Sequence, residues 1–156
     1  MSPEQVALVQ ESFKKVQPIA AQAADLFYGR LFEIAPALRQ LFPDDLAEQK
    51  TKLMAMLGTA VVNLHKLETI LPAVQDLGRR HAGYGVTSDH YKPVGEALIW
   101  TLEQGLGEAF TAPVKAAWVE TYTTLAGAMQ AAAAQKATAQ AKPGLFAWLF
   151  GRKAAA

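Results

Sequence analysis

A chain of 156 residues, 51% hydrophobic and 19% charged, is long enough for one buried core and too apolar to stay disordered. A net charge of +1 offers no electrostatic case for nucleic acid or for an acidic partner. The absence of cysteine excludes a disulfide framework, a thiolate metal site, a cysteine nucleophile and a covalently attached c-type haem.

The chain starts MSPEQ, without the basic and apolar regions of a secretion leader, and no apolar run is long enough for a bilayer span. A cytoplasmic location is therefore expected. Ser2-Pro3-Glu4-Gln5 spells a helix start, with Ser2 as cap, Pro3 in the first turn and Gln5 closing a capping box. Pro18 restarts the chain, and Ala24, Phe27, Tyr28 and Leu31 then form one stripe at helical spacing. Pro36 opens a short turn, PALRQLFP, that ends at Phe42-Pro43, and the aspartates of PDD supply capping groups. From Leu46 to Leu64 the stripe runs through Gln49, Leu53, Met56, Leu57, Ala60 and Leu64.

Counting inward from Pro72, the next face carries Val74, Leu77, Gly78 and His81, the i, i+3, i+4, i+7 series of a buried helix stripe. Arg79 and Arg80 fall on other faces, and the helix ends at glycine. After the break GVTSD, Tyr91, Val94, Leu98, Leu102 and Leu106 stripe one helix. Thr111 and Pro113 begin the last, with Val114, Trp118, Tyr122, Leu125 and Met129 inward. There is no alternating strand pattern and no internal repeat. The expectation is an all-α domain of seven or eight helical segments over residues 1–130. Residues 131–156 differ: QAAAAQKATAQAK has no apolar stripe and reads as an exposed helix or linker, and GLFAWLFGRK forms a short apolar and basic tail.

Three polar side chains interrupt apolar faces: Tyr28, Gln49 and His81. Each alone has a plain explanation. A buried tyrosine or histidine bonds a backbone carbonyl, and a glutamine in a first turn stays wet. Together, on three helices, they also suit a ligand held between those helices with a metal needing one imidazole. His65 and His90 stand at helix boundaries and read as solvated. No nucleophile elbow, zinc-protease motif, phosphate-binding loop or dinucleotide fingerprint is present, and the carboxylates are scattered singly.

LRQLFP, LGRRHAGYGV and HYKPVGEALIWTLEQGLGEAFT, set among these helices, resemble the globin family over about residues 3 to 130. The likeness is strongest to neuroglobins and bacterial single-domain haemoglobins. It lies in the proline opening the short third segment (Pro36), the phenylalanine that packs on haem (Phe42), the proximal histidine (His81), the HYxxVGE entry to the next helix and the tryptophan–tyrosine spacing of the last. The resemblance implies a globin fold around a haem pocket, haem b ligated by His81, and Tyr28 and Gln49 facing the bound gas. It further implies that Leu53 presses on the distal face and that Leu77, Tyr91 and Val94 line the proximal side; Lys52 either reaches a haem propionate or stays a wet surface lysine.

Two departures qualify it. Neuroglobin-like chains carry a histidine where Gln49 stands, and glutamine is a poor iron ligand, so an open ferrous site is expected. Flavohaemoglobins carry a glutamate where this chain has Ala133, so a proximal tyrosine–glutamate–histidine arrangement is incomplete. The implied function is reversible O2 binding, for storage or transport, with NO and CO as further ligands. The rivals are nitric oxide dioxygenation with a separate reductase, since nothing here binds flavin or nicotinamide, and gas sensing through a partner. For the tail, aromatic residues beside Arg152 and Lys153 suit an interface, so membrane contact stands beside docking on the domain's own surface or an exposed end.

Overall fold

The computed structural model describes residues 1–83 and 85–136. Within them the chain forms six α-helices, joined by short 3-10 turns and without a strand. In order these are α1 (Pro3–Val16), α2 (Ala20–Ile34), α3 (Ala47–Val62), α4 (Leu67–Gly83), α5 (Tyr91–Leu106) and α6 (Ala112–Lys136). The all-helical reading holds. The count falls below seven or eight because Pro36–Leu41 winds as a 3-10 helix rather than a separate α-helix.

The start of α1 follows its sequence. Gln5 donates its backbone N–H to Ser2 Oγ at 3.1 Å, and Ser2 returns its own to Gln5 Oε1 at 3.1 Å. Two otherwise orphaned amides are satisfied at once. Proline behaves less simply. Pro18 sits in the 3-10 turn Gln17–Ile19 and does restart the chain. Pro72 does not: α4 begins already at Leu67, and Pro72 lies inside it. Proline removes one backbone hydrogen bond there, and the long packing of α4 along α6 holds the helix through it.

The end of α4 is set by Gly85, at φ +96°, a conformation that side chains with a Cβ rarely adopt. Gly85 donates its N–H to the Ala82 carbonyl and Val86 donates to that of His81, satisfying the helix end.

The core joins the chain's two extremes. Trp118 on α6 is 1% exposed, and its Nε1 donates to Ser12 Oγ on α1 at 2.8 Å. Ser12 in turn donates to the Leu8 carbonyl at 2.7 Å. The buried indole thus has its polar atom paired while its ring packs 6.3 Å from that of Phe13. Helices α2 and α5 pack together, as do α4 and α6, and α3 lies against α2. Between these layers a large cavity remains.

The last helix runs to Lys136, past residue 130, and Ala132 is buried, so this part of the alanine-rich stretch packs on the domain. The expectations for the linker beyond it and for the apolar, basic tail lie outside the described residues. Among the described residues, no helix is long and apolar enough to cross a membrane.

Candidate functional site

The cavity has a volume of about 470 Å3 and takes its walls from α2, α3, α4, α5 and α6. Most of the wall is aliphatic and aromatic. Tyr28, Phe42, Lys52, Leu53, Leu77, His81, Tyr91 and Val94, dispersed over 67 positions of sequence from 28 to 94, all line it. Gln49 does not.

His81 is 2% exposed. Its Nδ1 lies 2.8 Å from the Leu77 carbonyl oxygen, one turn earlier on α4. A carbonyl only accepts, so this contact assigns the ring proton to Nδ1 and makes Nε2 the unprotonated, basic nitrogen of the ring. Burial pushes the His81 pKa down to about 3, against a smaller upward effect of the Leu77 bond. The imidazole is therefore neutral at physiological pH, as metal ligation requires. Periodicity had placed this side chain inward; the i−4 carbonyl explains how the ring is held there.

Tyr28 is 2% exposed within an aromatic nest. Its ring meets Phe27 edge-on at 5.0 Å and Phe42 edge-on at 5.5 Å. Burial raises the phenol pKa well above its ordinary value, so the hydroxyl keeps its proton and serves as a donor. Phe42 is fixed in turn by Phe32, at 5.4 Å.

Gln49, in the first turn of α3, is 3% exposed rather than wet. Among the described residues its Oε1 has no hydrogen-bond partner. A buried amide oxygen without a partner costs about 1–3 kcal/mol, and native structures keep such atoms chiefly where a ligand, ion or water completes them. Next to it, Lys50 Nζ pairs with Asp25 Oδ1 on α2 at 2.9 Å, clipping α3 to the helix that bears Tyr28.

His90 differs from its expected place. It is half-buried on the cavity wall, and its Nδ1 accepts the Thr87 N–H at 3.0 Å. The sequence does carry a signal: His90 stands four residues before Val94, on the stripe that continues through Leu98. His65 is exposed, as expected.

On the side of Tyr91, the Tyr122 hydroxyl donates to the Tyr91 carbonyl at 2.7 Å. Burial lifts the Tyr91 phenol to about 12. Tyr91 and Ala133 both border a second cavity of about 230 Å3, which Gly78 and Ala82 of α4 also line. The methyl of Ala133 stands there without a carboxylate for that tyrosine.

The donor set limits what the large cavity can hold. A metal ion bound by protein side chains alone takes three or more ligands. Among the described residues, no group of three histidine, cysteine, aspartate or glutamate side chains is placed to hold one. A neutral imidazole in an apolar cavity fits a metal that arrives with its own in-plane ligands, a flat apolar macrocycle needing one axial base. The Lys52 ammonium and the His90 ring N–H on the same wall fit acidic substituents on its edge.

Comparison with known proteins points the same way. The family profile for Globin matches residues 25–129. Neuroglobin-1 of Oncorhynchus mykiss is 32% identical, over 67% of this chain and 74% of its own length. Neuroglobin of Danio rerio is 30% identical, over 83% of this chain and 90% of its own. Among solved structures, an engineered carbene transferase made from a Rhodothermus marinus protein named as a nitric oxide dioxygenase superposes with a TM-score of 0.77. It shares 27% identity and covers 86% of this chain and 94% of that one.

Proposed function

This chain belongs to the globin family, whose members bind haem b and through it small gases, and on that premise we propose that it binds O2 reversibly, with His81 as the residue that would ligate the iron. The observation that carries the reading is the neutral His81 ring, tied by Nδ1 to the Leu77 carbonyl on the wall of a large apolar cavity. Haem supplies the iron at which a diatomic gas is held. The protein supplies the rest.

Leu53, Leu77 and Val94 would give the macrocycle dry walls, and Phe42, on the same cavity wall, would pack against it. Water exclusion matters because a low-dielectric pocket strengthens each remaining polar contact. Tyr28 presents a protonated hydroxyl to that pocket, suited to a gas that gathers negative charge. Gln49 is the second polar group of the reading, its amide oxygen buried and, among the described residues, without a hydrogen-bond partner. Lys52 holds a propionate by charge, and His90, whose Nδ1 accepts the Thr87 amide, offers an Nε2–H donor on the same wall. The protein acts in the cytoplasm as a store or carrier of O2.

The deciding experiment is an oxygen equilibrium on the haem-reconstituted protein, followed by deoxygenation. Reversible return of the deoxy spectrum supports the reading. Prompt oxidation to the ferric form, with no recoverable oxygenated species, rejects it.

A second reading, nitric oxide dioxygenation, is favoured by the likeness to the Rhodothermus marinus protein. Turnover then requires electrons from a separate reductase. Stopped-flow mixing of the oxygenated protein with nitric oxide, followed by re-reduction with candidate flavin reductases, separates a single stoichiometric event from catalysis.

A further inference from the structure

The helix that carries His81 is pressed against α6 at a point where no side chain fits. Gly78 is buried on α4, three residues before His81. A Cβ added there would fall on the Met129 carbonyl oxygen and lie 2.5 Å from the Met129 Cα and 2.6 Å from its carbonyl carbon. All three are backbone atoms in the interior of α6, so none can swing aside as a side-chain end would. Helix propensity alone disfavours glycine in this position. The close approach supplies the reason for it.

The same stretch of α6 also walls the large cavity, through Leu125, Ala126 and Met129. It also holds the start of α5. Gly95 admits the Tyr122 ring, which an added Cβ would meet at 2.7 Å, and the Tyr122 hydroxyl bonds the Tyr91 carbonyl. Helix α6 is thus a common abutment. The His81 ring follows α4 as a unit, since Nδ1 is tied to the Leu77 carbonyl one turn away.

We propose that Gly78 is a positioning residue: the bare contact of its backbone with Met129 sets how deeply α4, and with it the His81 imidazole, enters the cavity. The proposal rests on His81 being the residue that ligates the iron. A methyl at position 78 forces α4 off α6, because packed interiors do not absorb an added carbon at such distances. His81 is carried with it, and the strain on the bond from its Nε2 changes.

The test is resonance Raman spectroscopy of the haem-reconstituted, deoxygenated ferrous protein, reading the iron–histidine stretching band. Gly78→Ala should shift that band, while Gly127→Ala, on α6 with nothing within 4 Å of the added Cβ, leaves it in place. A haem-bound Gly78→Ala protein with the parental band overturns the proposal. His81→Ala tells that failure apart from a failure of the ligand reading: an unchanged band in this variant removes His81 from the iron and the proposal with it. Should Gly78→Ala not fold, Met129→Gly is compared with Met129→Ala. Both remove the side chain, but only glycine loosens the α6 backbone at the contact. A band shifted or broadened in Met129→Gly relative to Met129→Ala supports the proposal, and identical bands overturn it.

Discussion

The Nδ1 of His81 and the carbonyl oxygen of Leu77 lie 2.8 Å apart on one turn of α4. This bond does two things for a side chain that is 2% exposed. It satisfies the proton-bearing nitrogen, and it directs the basic one away from the helix that supplies it. Replacing His81 with alanine should therefore abolish or greatly weaken haem retention, with added imidazole partly restoring the Soret band. His65→Ala, at an exposed position, should leave that band unchanged. A normal spectrum in His81→Ala would exclude it as the ligand.

Coordination on the opposite side of the iron follows from which histidines remain. By its resemblance to neuroglobins, the chain is expected to carry Gln49 where those proteins place a second histidine. His65 is exposed, and the Nδ1 of His90 is engaged by the Thr87 amide. The deoxygenated ferrous protein should be mainly five-coordinate and high-spin. Absorption and Raman spectra decide this, and a sharp low-spin two-histidine spectrum would contradict it.

Gas retention separates Tyr28 from Gln49. A hydrogen bond to a strongly polarised group contributes about 1.5–3 kcal/mol, and each ~1.4 kcal/mol is roughly tenfold in a rate or an equilibrium. Tyr28→Phe, which removes a hydroxyl on the cavity wall, should raise the O2 off-rate by about ten- to a hundredfold. CO carries little negative charge, and its off-rate should change far less. Gln49 is buried but is not on the cavity wall, so Gln49→Leu should act in the same direction but more weakly. Flash photolysis and stopped-flow O2 displacement on each variant provide the check. Unchanged O2 release in Tyr28→Phe would remove it from the distal site.

Alkaline pH tests the buried phenols. Burial raises the pKa of Tyr91 to about 12 from an ordinary 10, and raises those of Tyr28 and Tyr122 as well. In the unfolded chain these groups ionise near pH 10, so above that pH the folded state binds more protons than the unfolded one. The contribution of Tyr91 to stability is complete below pH 10 and is lost as pH rises through 12, and those of Tyr28 and Tyr122 are lost in the same direction. Chemical denaturation of the haem-free protein should show midpoints that fall across this window. Tyr122→Phe, which also loses its bond to the Tyr91 carbonyl, should be less stable at neutral pH and show a shallower alkaline fall. An equal slope in the variant would contradict the assignment.

Much of this was legible along the chain. Period 3.6 in the apolar residues specifies helices and their inner faces, and for that reason His81 and Tyr28 were identifiable as inward groups before any contact was known. Ser2 and Gln5 mark a helix start because a cap is a local bargain among a few consecutive residues. The motifs around Phe42 and His81 placed the chain among the globins. What local pattern cannot encode is which distant surface meets a given face. Pro72 lies within α4 because packing on α6 outweighs one missing hydrogen bond. His90 reaches the cavity wall, and Gln49 is buried rather than wet, through the way α5 and α3 seat on their neighbours. The bare crossing of Gly78 on Met129 joins positions fifty-one residues apart. Periodicity records only the free energy of burying a face, whereas the depth and angle at which two faces meet depend on the shapes of both, and those come together only in the folded molecule.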